Sequence, residues 1–179
     1  MAMQDVAAAV RRIKDVLERR PSTGLGDDPR ATVRWIQGLR MEASNANGKK
    51  MLTDMPPEVG GSGDQVTPGW MFRSGIAACT ATVIAMAAAE EGVELTLLEV
   101  SVSSRSDARG MFGMADQSGA MVFAGPGDMQ MHVRIGANGA TPQRLRDLVA
   151  QGVRCSPMFN AVGTATPIAV HVEPQAEAA

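Results

Sequence analysis

The chain has 179 residues, 45% apolar and 20% charged, with a formal net charge of −2 and only 3% aromatic residues, none of them tyrosine. This length and apolar share support one globular domain with a real core, and the near-neutral charge with so few aromatics excludes a nucleic-acid surface or a polybasic membrane patch. Two widely separated cysteines do not form a secreted disulfide framework, and the first residues carry no apolar signal segment, so the cytoplasm is the expected compartment.

Residues 3–20 place Val6, Val10, Ile13, Val16 and Leu17 at helical spacing, with Arg11, Arg12, Lys14, Glu18 and Arg19 opposite. This predicts an amphipathic helix that ends before Pro21. Two roles fit it equally: docking on a partner subunit, or packing on its own domain. The stretch STGLGDDP then reads as a linker, which makes residues 1–30 an N-terminal element and 31–174 the main domain. Thr32 to Ala43 and Lys49 to Thr53 read as two strands joined by the turn ASNANG. The loop PPEVGGSGDQV follows. It lacks the lysine and hydroxyl of a phosphate loop and no strand–GxGxxG–helix unit is present, so no nucleotide cofactor is expected.

The stretch from Thr67 to Gly92 organises the chain. Thr67 fits an N-cap, Pro68 the first helical position, and Gly92 the stop. No charge occurs between Arg73 and Glu90, which predicts a helix apolar on every side and buried. The uncharged run is shorter than the roughly 18–20 residues of a membrane span, so a core helix is expected rather than a membrane segment. Cys79 lies at its middle, sharing a side with Phe72, Gly75, Ile76, Thr82, Val83 and Met86. A small buried hydrophobe is the simplest role for such a cysteine.

Beyond Gly92, LTLLEVSVSS alternates Leu98, Val100 and Val102 with Glu99, Ser101 and Ser103, as a half-buried strand does. SRSDARGMFGMADQSG reads as a loop or broken helix. Residues 128–135 alternate again, and Thr141-Pro142 opens a helix with Leu145, Leu148 and Val149 inward, stopping near Gly152. Cys155 comes directly afterwards. PIAVHVE reads as a last strand with Ile168, Val170 and Val172 on one face, and residues 175–179 as a frayed tail. Half-exposed strands in mixed order with helices predict an α+β fold with antiparallel sheets.

His132 and His171 fall on the polar sides of alternating strands, where solvated side chains are expected. No Cys or His pair has zinc-ligand spacing, and no local motif supports a Ser-His-Asp or Cys-His-Asn triad. The two cysteines remain, and spacing alone leaves open whether they meet.

FRSGIAAC after Pro68, then AAAEEGVELTLLEVSVSS, the lead-in PPEVGGSG, and RCSP after a short helix resemble the OsmC/Ohr family of osmotically inducible and organic hydroperoxide resistance proteins. The similarity spans roughly Thr32 to Glu173. It implies long central helices inside an intertwined homodimer with active sites at the subunit interface. It also implies a thiol-dependent peroxidase that needs no cofactor. Cys79 matches the peroxidatic cysteine, which an organic hydroperoxide oxidises to a sulfenic acid. Cys155 matches the resolving cysteine, which closes a disulfide that an external dithiol or thiol reduces. The family places an arginine from the first strand region near the thiolate, for which Arg40 and Arg34 are the candidates. A glutamate usually follows the helix-opening proline and locks that arginine; Gly69 stands there in this chain, with Glu58 as a possible substitute carboxylate. A non-peroxidatic member binding a small apolar ligand at the dimer interface is the alternative that Gly69 motivates.

Overall fold

The computed structural model describes residues 2–174; the predicted tail at 175–179 lies outside them. The first helix, α1 (Met3–Arg19), buries Ala7 and Val10 and packs on the central helix, α2 (Pro68–Glu90). A Lys14–Glu90 ion pair joins the two. It packs within its own chain, while Ile13, Val16 and Leu17 of its apolar face remain exposed.

Three strands follow α1: β1 (Thr32–Gln37), β2 (Arg40–Ser44) and β3 (Lys50–Thr53), paired antiparallel in that order. The predicted single strand from Thr32 to Ala43 is therefore two. Gly38, with φ +52°, reverses the chain between them, a backbone state in which glycine is the least strained residue, and the Trp35 indole N–H donates to its carbonyl at 2.9 Å. The second turn is the expected one: the Asn45 side chain accepts from the N–H groups of Asn47 and Lys49, both at 3.0 Å. This small sheet connects to the approach of α2 through a parallel bridge between Thr53 and Val66.

The caps of α2 are those the sequence predicts. The Thr67 hydroxyl accepts from Trp70 N–H at 3.2 Å, Pro68 takes the first position, and Gly92 turns with φ +68° beyond the end. Burial differs from expectation. Ile76, Thr80, Ile84, Ala87, Ala88 and Ala89 are buried, whereas Phe72, Gly75, Ala78, Thr82 and Met86 are exposed. Within one chain, α1, β4 (Leu95–Arg105), α4 (Pro142–Cys155) and α5 (Pro157–Gly163) cover α2 on one side only. Among the described residues α2 alone is long and apolar enough to cross a membrane, and four other elements of the chain pack against it.

Strands β4 and β5 (Gly127–Ala137) pair antiparallel over their length, with Val100 opposite Val133 and Ser101 opposite His132. The predicted alternation holds: Leu98, Val100 and Val102 are half-buried and their neighbours exposed. The connection contains one turn of helix, α3 (Ala108–Met111), and an Ala115–Met121 bridge. Ala87, Ala88 and Leu148 form the core cluster, with Val93, Leu95 and Leu145 against it.

Two further expectations fail. The α4 helix runs through Gly152 to Cys155, and Gly152 serves close packing instead of a stop: a Cβ there would lie 2.2 Å from Ile84 Cγ1. PIAVHVE forms no strand. Ile168 is 87% exposed and Val170 81%, because an alternating segment becomes a strand only against an edge, and no edge of this chain receives it.

Candidate active site

Both predicted cysteines carry free thiols. Cys79 is half-buried on α2, and Cys155, the last residue of α4, is exposed. Helices α2 and α4 pack directly, and their contact reaches the residues following both cysteines: Thr80 Oγ1 and Ser156 Oγ are hydrogen-bonded at 3.0 Å, both fully buried. Elsewhere the contact includes Ile84 against Gly152 and, at its other end, an ion pair between Arg144 of α4 and Glu91 at the end of α2.

Arg40 opens β2 and is 23% exposed. Its guanidinium is held by a network drawn from the loop ahead of α2. Nε and Nη2 donate to Asp54 Oδ2 at 3.3 and 3.2 Å, Nη2 donates to Ser62 Oγ at 2.7 Å, and Asp64 Oδ1 accepts as well. Ser62 Oγ lies 2.6 Å from each of the two carboxylates, yet a hydroxyl has a single proton to donate, so it serves one of them at a time. Asp54 Oδ1 accepts from Met55 N–H at 2.8 Å. Gly61 lets the loop fold back, since a Cβ there would sit 1.7 Å from the Met55 carbonyl oxygen.

The electrostatics follow the hydrogen bonds. The Ser62 hydroxyl and the Met55 N–H, followed by Arg40, hold the Asp54 carboxyl at about 2, well below 3.8. Ser62 and then Arg40 also hold Asp64 below its ordinary range. Asp64 first, then Asp54, raises Arg40. The arginine thus remains charged and faces two carboxylates.

The predicted lock for Arg40 needs correction. Its carboxylate partners are Asp54 and Asp64, while Glu58 is exposed in the intervening turn and is not one of them. Gly69 is open: a Cβ there would meet only Arg73 Nη1, at 3.5 Å. Arg34 lies on the exposed strand β1, opposite Glu42 in the ladder. His132 is exposed on β5 and His171 is exposed outside any strand, as expected of solvated histidines. Among the described residues, no group of three His, Cys, Asp or Glu side chains is arranged to hold a metal ion.

Sequence reasoning missed Asp54, Ser62, Asp64, Thr80 and Ser156. Asp54 and Asp64 flank the glycine loop, a spacing consistent with a clamp, but nothing local connects them to Arg40.

A single long apolar helix, flanked by an antiparallel hairpin on one side and preceded by a three-stranded sheet, defines the fold class as α+β. The chain belongs to the OsmC-like family, whose family model, described as "OsmC-like protein", matches residues 61–171. Solved structures agree on the fold. An OsmC-like protein from Mycoplasma pneumoniae superposes with a TM-score of 0.64 at 14% identity, covering 78% of this chain and 89% of its own. An organic hydroperoxide resistance protein from Legionella pneumophila gives 0.54 at 20% identity, covering 77% and 90%. One from Elizabethkingia anophelis gives 0.54 at 16% identity, covering 77% and 89%. No curated protein matches the sequence. Identities this low carry the fold and not the chemistry.

Proposed function

We propose that the protein is a cytoplasmic, homodimeric, thiol-dependent peroxidase that reduces organic hydroperoxides. The observation that carries this reading is that Cys79 and Cys155 lie on two helices, α2 and α4, packed against each other in an OsmC-like chain. The Cys79 thiolate attacks the terminal peroxide oxygen, the O–O bond breaks, an alcohol leaves after protonation, and Cys79 becomes a sulfenic acid. The Cys155 sulfur then displaces the sulfenic oxygen as water and closes a disulfide, and an external dithiol or thiol returns two electrons. In this reading Arg40, oriented by the Asp54–Asp64 clamp, is the cation that favours a thiolate and an oxyanion. The exposed apolar side of α2, with Phe72 and Met86, supports a second copy as its cover.

Single-turnover oxidation tests the reading. Reduced protein mixed with an organic hydroperoxide should lose both thiols and about two hydrogens of mass within seconds. Cys79→Ser should abolish peroxide consumption, and Cys155→Ser should stop at a sulfenic acid that dimedone traps. Thiols that persist for many minutes in the wild type would refute the peroxidase.

A second reading, binding of a small apolar ligand without peroxide chemistry, has its own observation. A cavity of about 190 Å³ lies between α2, the β4–β5 hairpin and α5, lined by Ile76, Val102, Met129, Met131, Phe159 and Val162. Native mass spectrometry of protein as purified, and titration with a short alkyl probe, test it; an empty protein that ignores the probe counts against it.

A further inference from the structure

Serine at the N-cap of a helix ordinarily turns its hydroxyl onto the backbone N–H of the first turn. Ser156 occupies that position for α5, ahead of Pro157, yet its side chain makes no capping bond. The hydroxyl instead meets Thr80 on α2 at 3.0 Å, with both residues fully buried. A cap interaction is thereby given up for a contact between two helices, each partner being the residue directly after a cysteine.

The surrounding geometry makes this pair the buried directional element of the contact, since the Arg144–Glu91 ion pair at its other end is partly exposed to water. Ile84, one turn beyond Thr80, lies against Gly152, one turn before Ser156, so the helices pass each other in opposite directions with matched spacing. Apolar contacts such as Ile84 on Gly152 tolerate sliding, because dispersion has little directional preference. A buried hydroxyl pair does not, since any slip leaves a donor and an acceptor unsatisfied away from water. The Cys155 backbone is fixed from the other side as well. The Asn160 side-chain amide donates to the carbonyls of Arg154 and Ser156, both at 2.9 Å, and so brackets the cysteine between two anchored peptides.

We infer that Thr80 and Ser156 are positioning residues that set the register of the Cys155 thiol against Cys79 and so determine how readily the two sulfurs exchange between dithiol and disulfide. The inference rests on the dithiol reading above but not on peroxide as the oxidant. A thiol pair held in place has a high effective concentration, and a displacement of about 1 Å lowers such a value on the order of 100-fold. Register of this kind governs bond formation without touching either sulfur.

Equilibration of the full-length protein with glutathione tests this. One glutathione disulfide oxidises the Cys79–Cys155 dithiol: the protein gains an S–S bond, two glutathione thiols are released, and electrons and protons balance without peroxide. The readout is the effective concentration of the protein thiol pair, from the fraction oxidised at known glutathione ratios. Thr80→Val keeps the side-chain shape and should lower this value at least tenfold, Ser156→Ala should do likewise, and Thr80→Ser, which retains the hydroxyl, should remain within about twofold of wild type. Lowered values for both hydroxyl-free variants that the Thr80→Ser variant also shows would assign the effect to packing and overturn the inference. So would values within twofold of wild type for both, or a wild type that forms no intramolecular disulfide. Should Thr80→Val fail to fold, Ser156→Ala decides alone. A wild type that forms the disulfide with glutathione but leaves hydroperoxide intact removes the peroxidase reading and leaves this one standing.

Discussion

Arg40 shows how much of a site lies in residues that no local pattern connects. Its guanidinium gathers Asp54 from the end of β3 and Ser62 and Asp64 from the glycine loop, 14 to 24 positions away. The family resemblance offers Arg40 or Arg34 and, with Gly69 in place of the usual glutamate, only Glu58 as its carboxylate; a hydrogen-bond network closed by a loop has no periodicity to reveal it. The clamp has a pH signature. Asp54 falls from 3.8 to about 2 on folding, so its stabilisation is complete above the ordinary carboxylate range and is lost as pH falls through about 2. Asp54→Asn should flatten the fall of stability between pH 4 and 2, read by denaturant melts across that range; an unchanged slope would sink this account. Glycine near a helix end suggests a stop, but the reason for Gly152 is tertiary. Gly152→Ala, which drives a methyl into Ile84, should cost about 1–3 kcal/mol in a urea melt with α4 intact by circular dichroism.

At the scale of elements, legibility followed locality. The Thr67 cap, Pro68 and Gly92 lie within a turn of the ends they fix, so the bounds of α2 could be read directly. The same holds for Thr141, whose hydroxyl accepts from Arg144 N–H at 3.2 Å. The break at Gly38 was hidden because apolar residues keep the same parity on both sides of it, Val33 and Trp35 before and Leu39, Met41 and Ala43 after, with no Asn or Asp beside the glycine. PIAVHVE has the pattern of a strand, but the pattern specifies only a face and says nothing of which edge receives it. Gly69 is an element-scale vacancy: exposed, in the first turn of α2, with room for a side chain. Gly69→Glu should stabilise the helix by about 1 kcal/mol, through higher helix propensity and a negative charge at the helix N-terminus. Its melting temperature should rise by roughly 2–4 °C; a fall would mean that the new carboxylate disturbs Arg73, which now donates to Ser104 at 3.4 Å.

For the molecule as a whole, the core in a single chain is small, being centred on Ala87, Ala88 and Leu148. Large apolar side chains stand outside it, including Trp35 at 69% and Phe123 at 74% exposed. The proposed homodimer accounts for this imbalance, and it makes stability depend on mass action. A tenfold increase in protein concentration should raise the melting temperature measurably, with sedimentation reporting two chains per particle. A concentration-independent melt of a monomer would refute the dimer. The helices α1, α2 and α4 were legible from helical spacing; α5 and the exposed half of α2 were not, since sequence shows that a face is apolar without showing which chain covers it.

The sheet of β1, β2 and β3 pairs mainly with itself and connects to the rest through the Thr53–Val66 bridge and the loop that carries Asp54. A sheet tethered at one end opens as a unit, at a free energy below that of global unfolding. Its backbone amides therefore exchange deuterium for hydrogen at a rate set by whatever rests on the sheet, while those of α2 exchange only when the core is lost. Exchange between residues 32 and 53 thus becomes a gauge of association, slowing as chains come together and readable without waiting for the core of α2 to open.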